Sequence, residues 1–521
     1  MQKFTISEDM ETTVFEKIVS LGRRSLTAGF VVWLGIAVLL VYVVSRHSAA
    51  RKAQIQHGCH PVRQHPRKDP ILGLDYVVES VRAFRQHRFL ATLQHRHKTS
   101  GMTFGIRVFR SRGIFTIDPK NIQAILSTRF KDYSLGNRST VMGPLLGRGI
   151  FVTNGPEWAH SRALLRPHFV KDRLVNLGSL EGHVRSLLAC IPDDRQVDLQ
   201  ELFLRFTLDA TTDFLFGNSA DSLAGGGTEE EREFSEAFRL AMDDITLQFR
   251  MGPFSVFRRL DPKVKAAYRT CRTYVDIFVD KAIAKRENVD MTEKGGEREP
   301  FLDELAKTTT DREKIRDELL SILLAGRDTT ASLLSSLFHV LARRPDVWQK
   351  VRREAAGLKG NAPTYAALQT MKYAKQVINE VLRLYPPVPN NRRVAVRDTV
   401  LPRGGGPDGD FPVFVPKGSL VLYSVYAMHR HVDLFGQDAE EFRPERWDTT
   451  RCSWEYLPFN GGPRICLGQQ YALTEALYVL LRFTQEFQSI ETQDTTPWTE
   501  SLTLTVCSAN GVQVTMQRVK G

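Results

Sequence analysis

A cysteine near the C-terminus, Cys466, lies in the stretch PFNGGPRICLGQQYA, which covers residues 458–472. Loop-forming residues and Arg464 precede this cysteine, and an apolar pattern typical of a helix begins just after it. A nearby positive charge and a helix N-terminus both stabilise a thiolate, whereas a buried structural thiol needs neither. The setting of Cys466 therefore indicates a reactive or metal-binding sulfur.

One long predicted helix holds a second group of reactive residues. Thr310 and Glu313 form a capping-box start, and apolar positions recur to about Leu341, so the helix is on the order of 45 Å long. Its centre is AGRDTT, residues 325–330, although Gly costs about 1 kcal/mol in a helix interior and Asp and Thr are poor helix formers. The Thr329 hydroxyl can bond back to a carbonyl four residues earlier and bend the helix. Either a ligand pressed against the backbone or a tolerated polar kink would explain this composition.

Charged and aromatic pairs at helical spacing form a third group. Glu380 and Arg383 lie three residues apart on one helix face, and such a pair alone is most often a surface ion pair. The helix is otherwise apolar and ends in two prolines, which favours a buried pair that needs further partners. Arg446, in FRPERW, offers one such partner. Trp158 and Arg162 are four residues apart and alone indicate a cation–π contact at the surface.

Taken in order, these motifs resemble those of the cytochrome P-450 family. Trp-x-x-x-Arg, Ala-Gly-x-Asp-Thr-Thr, Glu-x-x-Arg, Pro-Glu-Arg-Trp and Phe-x-x-Gly-x-Arg-x-Cys-x-Gly follow one another within residues 70–515. The last motif is matched by Phe459, Gly462, Arg464, Cys466 and Gly468. The resemblance implies a mainly α fold with small β-sheets, a triangular helical prism around a buried haem.

The resemblance also implies which residues contact the haem. Cys466 is the axial thiolate ligand of the iron, and Phe459 covers the sulfur side. Gly462 and Gly468 let the backbone approach the porphyrin. The side chains that hold the haem propionates are those of Trp158, Arg162, Arg393 and Arg464, since guanidinium forks suit carboxylates. Arg392 is adjacent to Arg393 and offers the same group.

Two further sets of residues have roles implied by the same resemblance. Asp328 and Thr329 form the proton-delivery pair, in which Thr329 holds the bound oxygen and Asp328 relays protons. Glu380, Arg383 and Arg446 form a structural triad behind the haem. The reaction implied is a monooxygenation with O2 and two electrons from NADPH. A separate NADPH–cytochrome reductase would deliver the electrons, because the chain shows no flavin or nucleotide domain.

Within the family, the chain is most similar to the fungal branch that hydroxylates n-alkanes and fatty acids. This similarity rests on the stretches DPILGLDYV, RVAVRDTVLPRGGGPDG and FGQDAEEFRPERW. We therefore expect a lipophilic substrate, a long aliphatic chain hydroxylated at or near its end, with Val388, Pro389, Leu502 and Leu504 as pocket candidates. The alternative is a tailoring monooxygenase of fungal polyketide or terpenoid biosynthesis. Residues 237–257 predict either an apolar entrance that dips into the membrane or an ordinary amphipathic helix.

Two rival classes share some of these residues. A haem enzyme that rearranges hydroperoxides does not activate O2, and the intact Asp328-Thr329 pair argues against that class. A cysteine-nucleophile or zinc hydrolase would need a histidine partner or clustered ligands near Cys466.

The remainder of the chain supplies the elements that position these residues. The predicted units are an N-terminal tail at residues 1–25, a transmembrane helix at 26–44, a basic and proline-rich linker at 45–74, and a haem-thiolate monooxygenase domain at 75–521. The run at 26–44 contains no charged residue and is long enough to cross a bilayer as a helix. Helical periodicity dominates from about 155 to 390, and strand-like runs follow. Near the end, Asn510-Gly511 predicts a hairpin turn.

Composition limits the partners and the compartment. The chain has 521 residues, a formal charge of +12, and six scattered cysteines without a C-x-x-C pair. This cysteine pattern excludes a disulfide framework or a zinc ribbon and predicts a reducing compartment. No nucleic-acid motif accompanies the basic excess, so an anionic membrane surface or an acidic electron donor is the expected partner. We expect a single-pass protein of the endoplasmic reticulum membrane with a cytosolic catalytic domain.

Overall fold

A computed structural model describes most of the chain. It covers residues 54–69, 72–108, 111–169, 176–225, 228–251, 260–288 and 299–520, together with residues 33, 51, 255 and 258. The predicted tail and the predicted transmembrane helix lie outside these residues, apart from residue 33. Among the helices of the described residues, none combines the length and the apolar character needed to cross a bilayer.

Helices make up most of the described chain. They are α1 (Leu74–Arg85), α2 (Phe89–Ser100), α3 (Pro119–Gln123), α4 (Arg138–Leu146), α5 (Gly155–Leu165), α6 (Leu177–Ala189), α7 (Leu199–Phe216), α8 (Glu229–Met251), α9 (Pro262–Asn288), α10 (Phe301–Thr308), α11 (Arg312–Leu341), α12 (Pro345–Ala355), α13 (Tyr365–Thr370), α14 (Lys372–Leu384), α15 (Val425–Met428), α16 (Val432–Phe435) and α17 (Gln469–Glu486). The helical periodicity predicted for residues 155–390 is confirmed, because α5 to α14 fill most of that span.

Short strands form small sheets around this helical body. They are β1 (Thr103–Val108), β2 (Ser111–Thr116), β3 (Tyr133–Ser134), β4 (Gln196–Asp198), β5 (Asn390–Ala395), β6 (Thr399–Gly405), β7 (Phe411–Val415), β8 (Leu420–Ser424), β9 (Phe487–Glu491), β10 (Glu500–Leu502), β11 (Val506–Ser508) and β12 (Gln513–Arg518). The largest sheet has the order β1-β2-β8-β5-β3, a second has the order β4-β12-β9, and β6-β7 and β10-β11 form two-stranded sheets. The prediction of a mainly helical chain with small sheets is confirmed.

The hairpin predicted at Asn510-Gly511 is wrong. β11 pairs with β10, and β12 pairs with β4 and β9, so the turn connects two different sheets. The Asp198 carboxylate at the end of β4 accepts hydrogen bonds at 2.9 Å from the Val512 amide and from the Gln513 side chain. These long-range bonds hold β12 beside β4 rather than beside β11.

The central helix, α11, begins one residue later than predicted. Asp311 is its N-cap, and the Asp311 carboxylate accepts the amide hydrogen of Lys314 at 3.0 Å. The capping box predicted at Thr310 and Glu313 is therefore wrong, and the physical reason is that Asp caps a helix more strongly than Thr. The helix ends at Leu341, as predicted.

Close packing of α11 on α7 explains the glycine in the middle of α11. A Cβ at Gly326 would lie 2.8 Å from the hydroxyl oxygen of Thr211. The neighbouring Thr207 hydroxyl donates a hydrogen bond at 2.9 Å to the carbonyl of Arg327. Contact between the two helices is therefore enough to require Gly326, and a ligand against the backbone at this point stays a prediction.

Aromatic packing places the Cys466 segment beside α11. Phe338 of α11 and Phe483 of α17 lie with their ring centroids 4.5 Å apart, and Phe203 of α7 lies 5.1 Å from Phe338. All three side chains are fully buried. These contacts hold α17, which begins three residues after Cys466, against α11.

Candidate active site

The loop that carries Cys466 is closed by its own backbone. The Cys466 amide donates to the carbonyl of Phe459 at 3.0 Å, and the Ile465 amide donates to the carbonyl of Gly462 at 3.0 Å. The Phe459 side chain is half-buried and packs against the apolar core around α17. Cys466 therefore occupies a fixed position just before Gly468, the N-cap of α17.

Cys466 is exposed although protein atoms surround it. The side chain is accessible to solvent, yet burial among protein atoms raises the pKa of its thiol. A backbone hydrogen bond from Gly468 and the positive charge of Arg162 oppose the rise in pKa. A metal ion bound at the sulfur would complete its deprotonation.

Protein packing requires glycine at position 462 but not at position 468. Gly462 has φ +67°, and a Cβ there would lie 1.9 Å from the carbonyl oxygen of Leu126. The π-helical turn Ala124–Thr128 therefore leaves no room for any side chain at position 462. A Cβ at Gly468 would approach only Phe169, at 3.9 Å. Contact between Gly468 and the porphyrin stays a prediction.

Four arginines, Arg138, Arg162, Arg393 and Arg464, surround one side of this loop. Burial, followed by repulsion from the other arginines, lowers the pKa of Arg464 to about 9 and that of Arg138 to about 10. No carboxylate of a described residue pairs with any of the four guanidiniums. Arg393 is buried and the other three are partly exposed, so the cluster is a partly buried concentration of positive charge that no carboxylate of the described chain neutralises.

Asn391 holds two of these arginines together. Its side-chain oxygen accepts hydrogen bonds from Arg138 at 2.7 Å and from Arg393 at 3.0 Å. Arg393 is buried, and its guanidinium lies over the ring of Tyr423. Arg392 instead donates to Asn137 at 2.7 Å. Of the two adjacent arginines, Arg393 is the one that joins the cluster.

The cationic partner of the Trp158 indole is Arg464, not Arg162, the partner that its four-residue spacing indicates. The guanidinium carbon of Arg464 lies 4.5 Å from the Trp158 ring centroid, and Arg464 also donates to the carbonyl of Thr153 at 2.7 Å. Arg162 donates to the carbonyl of Ile465 at 3.0 Å. Trp158 is buried, so the surface cation–π interpretation of Trp158 and Arg162 is wrong.

Asp328 and Thr329 lie in an unbroken part of α11. The Thr329 hydroxyl donates to the carbonyl of Ala325 at 2.7 Å, as predicted. The Asp328 carboxylate accepts a hydrogen bond from Arg327 at 2.7 Å. Burial raises the pKa of Asp328, and the charge of Arg327 opposes that rise.

Glu380, Arg383 and Arg446 form a buried cluster. Glu380 pairs with Arg383 at 2.8 Å and with Arg446 at 3.0 Å, and none of the three side chains is more than 2% exposed. The Trp447 indole donates to the second carboxylate oxygen at 3.1 Å. The prediction of a buried pair with Arg446 as its third member is confirmed.

The pocket candidates lie in different surroundings. Val388 is exposed and Pro389 is buried. Leu502 packs against a small cluster with Val506, whereas Leu504 packs against the apolar core of α8 and α9. That these four residues line one substrate pocket stays a prediction.

A sequence model of the family described as Cytochrome P450 matches residues 70–516. The chain belongs to the cytochrome P450 family. The match covers nearly every described helix and strand, so the fold and the enzyme class predicted from the motifs are confirmed.

Relatives of this P450 include several fungal monooxygenases. Cytochrome P450 monooxygenase himC of Aspergillus japonicus is 60% identical over 477 residues, which cover 90% of this chain and 85% of that protein. Cytochrome P450 monooxygenase fsdH of Fusarium heterosporum is 50% identical over 529 residues, which cover 98% and 93%. Cytochrome P450 52A12 of Debaryomyces hansenii is 39% identical over 513 residues, which cover 94% and 98%.

The residues of this P450 fit the haem-thiolate cofactor of the family. Cys466 is exposed, so its sulfur is open to an iron atom, as an axial ligand must be. Two haem propionates would supply the negative charge that the four arginines do not find among the described residues. A zinc site has no such support, because no group of three His, Cys, Asp or Glu side chains in the described chain could hold a metal ion.

Sequence reasoning missed Arg138 and Asn391. Alternation along a strand places Asn391 on the same face of β5 as Arg393, so that pattern could have indicated Asn391. No local pattern marks Arg138, which reaches the cluster only because α4 packs near β5 in the folded P450.

Proposed function

We propose that this P450 is a membrane-anchored monooxygenase that hydroxylates a long aliphatic chain at or near its end. It would use O2 and electrons from NADPH, delivered by a separate reductase. The observation that carries the haem chemistry of the proposal is the exposed Cys466 beside four arginines that pair with no carboxylate of the described chain. This arrangement provides one ligand for iron and a counter-charge for two propionates.

Each residue near the loop has a binding role in this proposal. Cys466 would ligate the iron, and Arg138, Arg162, Arg393 and Arg464 would bind the propionates. Trp158 packs under Arg464 and holds that guanidinium in place. Bound in this way, haem supplies the activation of O2 and the transfer of one oxygen atom to a C–H bond, while the other oxygen leaves as water.

The proton path would run through two side chains of α11. Asp328 is buried, and its raised pKa lets the carboxyl carry a proton closer to neutral pH than an exposed aspartate does. Thr329 Oγ1 holds its own proton against the carbonyl of Ala325 and keeps lone pairs to accept another. In this proposal Thr329 Oγ1 would accept a proton that starts at Asp328 and would release its own hydroxyl proton in exchange, so that the side chain stays neutral.

Thr329→Ala is expected to uncouple NADPH use from product formation. The variant should bind haem and consume NADPH but release more hydrogen peroxide, because the positioned hydroxyl is lost. Product per NADPH should fall by about 10-fold or more, since positioned proton transfer typically contributes about 10²- to 10⁴-fold. The measurements are NADPH consumption, peroxide and product in one assay.

Ser336→Ala is the matched control for this variant. Ser336 is a buried hydroxyl on the same helix, and its oxygen has no hydrogen-bond partner among the described residues. The Ser336→Ala variant should form as much product per NADPH as the wild type does. A normal product yield in Thr329→Ala would show that Thr329 serves only the helix.

The proposed membrane location is supported by an exposed apolar face. Leu74, Val78 and Val81 are exposed and lie on one side of α1. The guanidinium of Arg250 lies 3.7 Å over the ring of Phe84, which joins α1 to the C-terminal end of α8. This face would lie on the endoplasmic reticulum membrane, with the catalytic domain in the cytosol. The formal charge of +12 suits an acidic reductase.

The substrate is tested by mapping the oxidised carbon. Microsomes that contain the protein are given NADPH and a series of saturated fatty acids and n-alkanes. Oxidation is expected at or next to the terminal methyl. A terminal C–H bond is stronger than an internal one, so attack there requires a channel that positions the chain end. Activity confined to a polycyclic or polyketide compound would refute this proposal and favour the tailoring alternative.

A further inference from the structure

Arg392 is a cation at the edge of the four-arginine cluster, close enough that its charge contributes to lowering the pKa of Arg138. Arg392 and Arg393 are neighbours on β5, so their side chains point to opposite faces of the sheet. Arg393 shares Asn391 with Arg138 and lies near Arg464, whereas Arg392 extends toward Asn137, just before α4, and toward Phe249 of α8. There it donates to the side-chain oxygen of Asn137 at 2.7 Å, and its guanidinium carbon lies 5.1 Å from the ring centroid of Phe249.

Arg392 has no anionic partner in the described part of the chain. Its side chain donates to one neutral amide oxygen, that of Asn137. Burial lowers the pKa of Arg392, and no carboxylate opposes this effect. A half-buried guanidinium without a counter-charge costs free energy in the folded protein. A ligand that brings a negative charge would recover that free energy.

A second polar group on the same face also lacks a partner. Asn390 lies two residues before Arg392, so both side chains project from one face of β5. The side-chain oxygen of Asn390 is buried and has no hydrogen-bond partner among the described residues. Its amide group can rotate to present N–H donors instead. Phe249 packs beside this polar pair and belongs to the apolar core of α8 and α9.

We propose that Arg392, with Asn390 and Phe249, forms a subsite that binds a carboxylate group of the substrate. A guanidinium can bind a carboxylate through two parallel hydrogen bonds, and the phenylalanine ring provides an apolar wall for the adjoining chain. The inference rests on the proposed function and narrows it, because a long-chain carboxylic acid fits this subsite and an n-alkane does not.

The test compares one acid with its neutral analogue. Dodecanoate and dodecanol are titrated into the holoprotein by calorimetry, for the wild type and for Arg392→Gln, Arg392→Lys and Arg397→Gln. Arg392→Gln is expected to weaken dodecanoate binding roughly 10- to 100-fold, the range of one charged hydrogen-bonded pair, and to leave dodecanol binding nearly unchanged. Arg392→Lys, which keeps the charge, should recover part of the loss. Arg397→Gln removes the same charge from a side chain that is 63% exposed and should change neither affinity.

Three outcomes would overturn the subsite. Equal effects of Arg392→Gln on acid and alcohol, including no effect on either, would show that the guanidinium does not bind the carboxylate. Loss of bound haem from Arg392→Gln would assign Arg392 to the propionates instead. Failure of the wild type to bind either ligand would refute the long-chain substrate itself, and the subsite as stated with it.

Discussion

Glu380→Gln is expected to destabilise the protein by about 3–5 kcal/mol, because the substitution leaves two buried guanidiniums without their carboxylate. The Glu380 carboxylate accepts hydrogen bonds from Arg383, Arg446 and the Trp447 indole. Glutamine has the same shape, but its –NH2 group would face donors, and the two arginines would keep their charges. Little holoprotein should accumulate. The measurements are the thermal unfolding temperature and the haem content of the purified protein.

Glu445→Gln provides the control for this prediction. Glu445 lies in the same motif as Arg446 but pairs with Lys350 at the surface, where its side chain is 43% exposed. Losing such a pair typically costs about 0–1 kcal/mol, so stability and haem content should stay near those of the wild type. A Glu380→Gln variant with normal melting temperature and haem content would show that the buried pairs do not stabilise the fold.

The triad matters for the active site because it connects to the Cys466 loop through His429. Arg383 donates to the carbonyl of His429 at 2.8 Å, and the His429 ring accepts the amide hydrogen of Leu457 at 2.9 Å. Burial lowers the pKa of His429 to about 3, so the ring is neutral at physiological pH. Its other nitrogen then carries the proton and donates to the carbonyl of Arg383 at 3.1 Å. Leu457 lies two residues before Phe459, so damage to the triad would reach the loop.

Contacts within one helix could be predicted from the sequence, and contacts across the fold could not. Glu380 and Arg383, like Thr329 and its acceptor carbonyl, are three or four residues apart, so helix geometry alone brings them together. Arg138 contacts Asn391, which is 253 residues away in the sequence, and no local pattern predicts that contact. The hairpin prediction at Asn510 was wrong for the same reason. Asp198 holds β12 through hydrogen bonds from residues that are 314 and 315 positions away in the sequence.

The family motif predicted which residues surround the sulfur, but not how their charges combine. Arg162, Arg393 and Arg464 were each expected to bind a propionate. Repulsion among these guanidiniums depends on how far apart the fold places them. The fold also decides that Arg393, and not Arg392, joins the cluster. Both follow from the packing of α4, α5 and β5 around one loop. That packing is a property of the folded chain.

Cys466→Ser is expected to abolish both monooxygenase activity and the carbon-monoxide difference band typical of the family. A serine hydroxyl stays protonated and donates far less charge to iron than a thiolate does. The four arginines and Trp158 remain in this variant, so haem can still be retained through its propionates. The measurement is a reduced, carbon-monoxide-treated difference spectrum, normalised to total haem and compared with product formation.

Cys452→Ser separates loss of the ligand from general damage to this region. Cys452 is half-buried in the segment before the Cys466 loop, and burial raises the pKa of its thiol to about 11, so it carries no thiolate at neutral pH. This variant should keep the band and the activity, because no proposed haem contact is changed. If Cys466→Ser kept the band, another residue would have to ligate the iron. If both variants lost the band together with their bound haem, the effect would lie in folding rather than in ligation. Loss of the band in Cys466→Ser alone, with haem still bound, is the result that assigns the sulfur to the iron.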